Sequence, residues 1–136
     1  MAKRQRGFTL IEIIVVIALI ALLAAYVAPN LLSRADDAKR KSASIQIEKI
    51  STALELYKLE VGQYPASLNA LRVKPASGAD RWKGPYVKKA AMLEDPWGRP
   101  LQYRYPGATA AYELYSFGTD GQQGGTGEAA DISAWE

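Results

Sequence analysis

The sequence predicts an α+β protein. One long N-terminal helix, transmembrane in its first half and amphipathic in its second, carries a C-terminal head. The head combines irregular loop, a small antiparallel β-sheet and a glycine-rich closing loop. Three observations carry this prediction. An apolar run, broken by a single acid, occupies residues 8–28. Apolar residues then recur at helical spacing up to Val61. Two segments of period-two alternation follow, at residues 101–105 and 112–117.

The first element is long enough to span a bilayer. At about 1.5 Å per residue, the run makes about 31 Å of helix, the thickness of a hydrocarbon core. Lys3, Arg4 and Arg6 precede it. A basic flank of this kind stays on the cytoplasmic side, which predicts a head on the far side of the membrane. The chain has seventeen basic and fourteen acidic residues, for a net charge of +3. Those three leader residues account for the whole excess. Everything from Phe8 onward is formally neutral, so the basic pI gives no support to nucleic-acid binding.

Glu12 is the acid inside the apolar run. An ionised carboxylate in lipid costs about 2.5–3.5 kcal/mol or more, so it normally has a partner. Two readings stand. Near the helix end the carboxylate can reach interfacial water, or it can pair with a cation in an assembly. Small residues at Ala24, Ala25 and Ala28 also allow the run to be a removable secretory signal.

Pro29 lacks a backbone donor and crowds the preceding turn, so a kink or local opening is expected there. Beyond it, Ala43, Ile47, Ile50, Leu54, Tyr57 and Val61 form one apolar stripe. Lys41, Glu48, Lys49, Glu55 and Lys58 mostly fall off that stripe. Gly62 and Pro65 mark its end. A single helix from Phe8 to Val61 would extend about 80 Å. Lys39-Arg40-Lys41, after Asp36-Asp37, reads as a solvated helix face, and Lys88-Lys89 as a surface turn. Tyr26 suits a membrane interface.

Residues 63–100 are irregular. Ser67 is expected to cap a short helix through Leu71. Asp95-Pro96-Trp97-Gly98 reads as a turn. The alternating segments 101–105 and 112–117 form a hairpin through Pro106-Gly107. A lone hairpin is marginal in water, so its apolar face must pack on the stripe of the long helix. Residues 118–132 show no strand pattern and read as a loop.

The chain contains no cysteine and no histidine. Disulfides, thiolate chemistry, most zinc sites and histidine-dependent catalysis are excluded. No pair of acids marks an enzyme site. Asp120, Glu128 and Asp131 crowd the closing loop. They are either a solvated acidic loop or oxygen ligands for calcium, and their spacing is not that of an EF-hand.

The heptad Arg6-Gly7-Phe8-Thr9-Leu10-Ile11-Glu12 resembles the processing site of the type IV pilin and pseudopilin family. The resemblance implies that a prepilin peptidase cuts between Gly7 and Phe8 and methylates the new amine of Phe8. It implies a type IV pilin-like fold divided into a leader (1–7), a transmembrane and assembly helix (8–28), an amphipathic helix (29–62) and a periplasmic head (63–136). The liberated amine of Phe8 would then be the partner of Glu12. In this family the helix near Pro29 opens when the subunit enters the fibre.

The head is similar to the major pseudopilins of type II secretion systems. The likeness lies in Asp95-Pro96-Trp97-Gly98 with Pro100, Tyr103 and Pro106-Gly107. It continues in Ser116-Phe117-Gly118-Thr119-Asp120-Gly121 and in Ala130-Asp131-Ile132 with Trp135. It implies an inner-membrane, single-pass, non-enzymatic subunit that forms a homopolymeric periplasmic filament for export of folded proteins. Minor pseudopilins, an assembly platform and a cytoplasmic ATPase are the implied partners. It also implies calcium in the last loop, with the Phe117 carbonyl, Asp120 and Asp131 as ligands. Ala130 stands where some members carry another aspartate, a gap that Glu128, water or a carbonyl would fill. A pilus subunit for adhesion, motility or DNA uptake shares the leader and helix, so only the head discriminates; the absence of cysteines and the Asp120–Asp131 loop argue against it. A secreted calcium-binding module is the alternative if the apolar run is removed.

Overall fold

The structure is a computed structural model that describes residues 7–78 and 80–135. The basic residues of the leader lie outside the described residues. The chain divides into two compact units, 1–35 and 36–136. Helix α1, Leu10–Val61, contributes to both.

In the first unit every side chain from Gly7 to Leu32 is exposed. It is the one helical stretch among the described residues long and apolar enough to cross a membrane, and none of it is buried within the chain. The helix runs through Pro29 without a break, so of the expected kink or local opening the opening is absent here. A proline removes one donor only, and polar side chains can supply bonds beside the gap. Here Asn30 Nδ2 donates to the Tyr26 carbonyl at 3.2 Å, and Ser33 Oγ to the Asn30 carbonyl at 3.3 Å.

The second unit is built on the apolar stripe. Ala43, Ile47, Ile50, Leu54 and Tyr57 are buried, and Val61 packs at the edge of the same core. Against them lie Leu68, Leu71, Val87, Leu101, Tyr112, Leu114 and Ile132. Each large aliphatic side chain buried here contributes about 1.5–3 kcal/mol. The helix ends at Gly62, whose φ of 102° suits a residue without a Cβ. Its N–H donates to the Lys58 carbonyl at 2.8 Å, closing the last turn.

Three antiparallel strands cover this core in the order β1-β2-β3. Strand β1 is Gln102–Arg104, β2 is Glu113–Ser116 and β3 is Ile132–Ser133. Tyr103 faces Leu114, and Ser116 faces Ile132. The hairpin is therefore present, trimmed at its ends. The third strand corrects the reading of residues 118–132 as loop alone. It is two residues long, so no alternation could announce it. Burial of Ile132 and the bond from Ala134 N–H to the Leu114 carbonyl (3.0 Å) hold it in place.

Between helix and sheet the chain makes two 3-10 turns, Leu68–Leu71 and Ala90–Leu93. Ser67 precedes the first but makes no side-chain cap bond, contrary to expectation. Burial of Leu68 and Leu71 fixes that turn instead. Gln46 of α1 holds the second turn through bonds to the carbonyls of Met92 and Glu94. The Asp95 turn encloses a buried carboxylate. Asp95 Oδ1 accepts from the backbone N–H groups of Trp97 (3.0 Å) and Arg99 (2.9 Å), and Oδ2 from Ser116 Oγ (2.7 Å). Ser116 Oγ in turn accepts from Gly118 N–H at 3.2 Å. A buried acid so bonded offsets much of its desolvation, and it fixes the start of the closing loop.

Candidate functional site

Two regions carry the residues that the sequence singles out. At the N-terminus, Gly7 and Phe8 precede α1 as exposed, non-helical residues. Thr9 and Glu12 then form a reciprocal cap. Thr9 N–H donates to Glu12 Oε2 at 3.3 Å, and Glu12 N–H to Thr9 Oγ1 at 3.3 Å. This is a capping box, which satisfies donors that a helix start otherwise leaves open. The signal was present in the sequence as Thr-x-x-Glu before an apolar run, and reading Glu12 only as a membrane charge missed it. Pro29 lies inside the helix, well separated along the chain from this cap.

The second region is the closing loop, residues 117–131. Its ends are tied to the sheet by Ser116 and Ile132. Asp131 N–H donates to the Gly124 carbonyl at 3.2 Å, and Asp131 Oδ2 accepts from Gly124 N–H at 2.9 Å. Asp131 Oδ1 is buried without a hydrogen-bond partner. Asp120 is exposed and its Oδ1 accepts from Gln122 N–H at 3.0 Å. Glu128 has an exposed side chain, while its carbonyl accepts from Thr119 Oγ1 at 3.2 Å. Phe117 packs its ring edge-on to Tyr115, with centroids 5.5 Å apart. Among the described residues no three acidic side chains converge closely enough to hold a metal ion. A cation in this loop would depend on carbonyl oxygens as well as carboxylates.

Two guanidinium groups also meet the loop. Arg99 Nη2 donates to the Thr119 carbonyl at 3.2 Å. Arg40, on α1, donates from Nη1 to the carbonyls of Ala130 (2.7 Å) and Glu128 (2.9 Å). Arg40 therefore departs from the expected solvated face. Its partners lie far along the chain, and no local pattern in the sequence signals the contact.

The comparisons with known proteins span both regions. The family described as "Type II secretion system (T2SS), protein G" matches residues 30–135, and the prokaryotic N-terminal methylation motif matches residues 2–28. The type II secretion system core protein G of Pseudomonas aeruginosa is 44% identical over 140 residues, covering 98% of this chain and 97% of that protein. Its counterpart in Vibrio cholerae is 38% identical, covering 98% and 93%. The crystal structure of the major pseudopilin from the type 2 secretion system of enterohaemorrhagic Escherichia coli superposes with a TM-score of 0.61 at 29% identity. That match covers 79% of this chain and 95% of the other. A capped apolar helix, a stripe-packed three-stranded head and these matches lead to one conclusion: the chain belongs to the type II secretion system protein G family.

Proposed function

We propose that this chain is the major pseudopilin of its secretion system, polymerising into a periplasmic pseudopilus that drives folded proteins across the outer membrane. The observation that carries the reading is the division of labour along α1. Residues 43–57 bury their stripe in the head, whereas the apolar side chains within residues 8–32 find no cover among the described residues. Uncovered apolar surface of this extent needs lipid or copies of itself. Lipid would serve the stored, single-pass inner-membrane subunit, and neighbouring helices the filament. A helical filament requires a heterologous contact that does not close.

Cleavage between Gly7 and Phe8 leaves Thr9 and Glu12, hence the capping box, intact. It frees an amine on Phe8 that stays positive when methylated. Pairing of that amine with Glu12 of a neighbouring copy offsets the desolvation of both charges and sets the stagger between helices. Prepilin peptidase would make the cut. Minor pseudopilins, the assembly platform and its ATPase would act on the product, and the Pro29 region would open on entry to the fibre.

In the closing loop the residues fit a calcium ion. The donors are hard oxygens, glycine lets the chain fold tightly, and Asp131 Oδ1 is buried and unpartnered. Asp120, Asp131 and the Phe117 carbonyl would hold the ion, with Glu128 or another carbonyl completing the set. Calcium would supply a structural cross-link and no reaction chemistry.

Complementation of a cell lacking this chain tests the assembly role. The parent chain is expected to restore exoprotein release, with twitching and DNA uptake unaffected throughout. Glu12→Gln keeps an oxygen for the Thr9 N–H but loses the charge. It should insert normally in the membrane, yet reduce filaments and export at least tenfold. Normal filaments from Glu12→Gln would remove the ion pair. Unchanged export without the chain would remove the function.

A further inference from the structure

Arg40 sits at a junction that the calcium reading does not use. One nitrogen of its guanidinium, Nη1, bonds two carbonyls of the closing loop, Glu128 and Ala130, from 88 and 90 residues away. The bonds of 2.9 and 2.7 Å are in the charge-assisted range. The surroundings are shaped for this contact. Gly118 is buried with φ +68° and passes directly over the bonded pair. A Cβ there would come within 2.8 Å of the Ala130 carbonyl oxygen and 3.3 Å of Arg40 Nη1. Only glycine allows the segment after β2 to close over the guanidinium. Thr119 Oγ1 adds a second donor to the Glu128 carbonyl.

We infer that Arg40 is a resident cation of the closing loop, a positioning residue that keeps residues 118–132 docked on α1 independently of any bound ion. Its acceptors are the carbonyls of Glu128 and Ala130. The oxygens proposed for calcium are the Phe117 carbonyl and the carboxylates of Asp120 and Asp131. The two cations therefore hold different atoms of one loop. Arg40 fixes its returning limb to the helix, and calcium would tie its outgoing and returning limbs together. Loss of either should leave the loop attached at the other. This division of roles rests on the calcium reading, whereas the docking by Arg40 does not.

Hydrogen exchange of the full chain in detergent micelles separates the two. With chelator present, Arg40→Met should raise exchange across residues 118–132 about tenfold over the parent, as expected for losing two charge-assisted bonds. Arg40→Lys, which keeps the charge but not the planar, pre-organised guanidinium, should fall between them. Amides of Leu54 and Leu114 should be unchanged, showing that the head is folded. Saturating calcium should restore protection to Arg40→Met, so that the calcium effect is larger in the variant than in the parent. Loop exchange in Arg40→Met within twofold of the parent, with chelator present, would overturn the inference. So would a calcium effect of equal size in both chains. A parent and variant both indifferent to calcium would overturn the calcium reading and the division of roles, while the chelator comparison still decides the docking.

Discussion

Arg40 docks on the closing loop and Asp131 belongs to it, with opposite charge and unequal satisfaction. The guanidinium bonds two carbonyls, while Asp131 has one bonded oxygen and one buried without a partner. An unsatisfied buried oxygen costs on the order of 1–3 kcal/mol, a deficit that a bound cation would remove. Calcium at a hundredfold excess over its dissociation constant should stabilise the head by about 2.7 kcal/mol. The expected outcome is a calcium-dependent rise in the melting temperature of the full chain in micelles, with no rise in Asp131→Ala. Identical melts in calcium and chelator would refute the site. At this scale the sequence showed Asp131 and Glu12, because each stands out by type against its neighbours. It did not show Arg40, which sits among other charges and finds its partners only through tertiary folding.

The half of α1 that belongs to the head is held by aliphatic burial and by a set of tyrosines. Burial first, and then its bond to the Glu55 carboxylate at 2.7 Å, together push Tyr64 up to about 12. Burial also raises Tyr57, Tyr86, Tyr103 and Tyr112, and Tyr86 bonds Glu60 as well. An unfolded tyrosine titrates near pH 10. Folding favours the neutral phenol, so this stabilisation is complete below pH 10. It is lost as pH rises through about 12, because the unfolded state gives up its protons first. Alkaline titration should show phenolate absorbance of these residues appearing together with loss of the head's near-ultraviolet dichroism. Phenolate formation centred near pH 10 without unfolding would contradict this. Helix and hairpin were legible because periodicity survives in a single sequence. Strand β3 and the Asp95–Ser116 contact were not, since a two-residue strand has no period and a turn aspartate gives no hint of burial.

For the molecule as a whole, the sequence carries two solvents in one chain. Residues 8–28, broken by Glu12, are an apolar run left exposed among the described residues, while the head has its own buried core and a neutral charge balance. That contrast was readable directly, as was the leader before it. The continuity of α1 through Pro29 was not readable, because one missing donor does not decide whether neighbouring side chains bridge the gap. The apolar helix is expected to stay on the mature subunit and to begin at a charged, processed residue. Mass spectrometry of the N-terminus from native membranes tests it most directly. The mature chain should begin at N-methylated Phe8, with Gly7 and the leader absent. A chain beginning near Ala25 or beyond, released from the membrane, would contradict it.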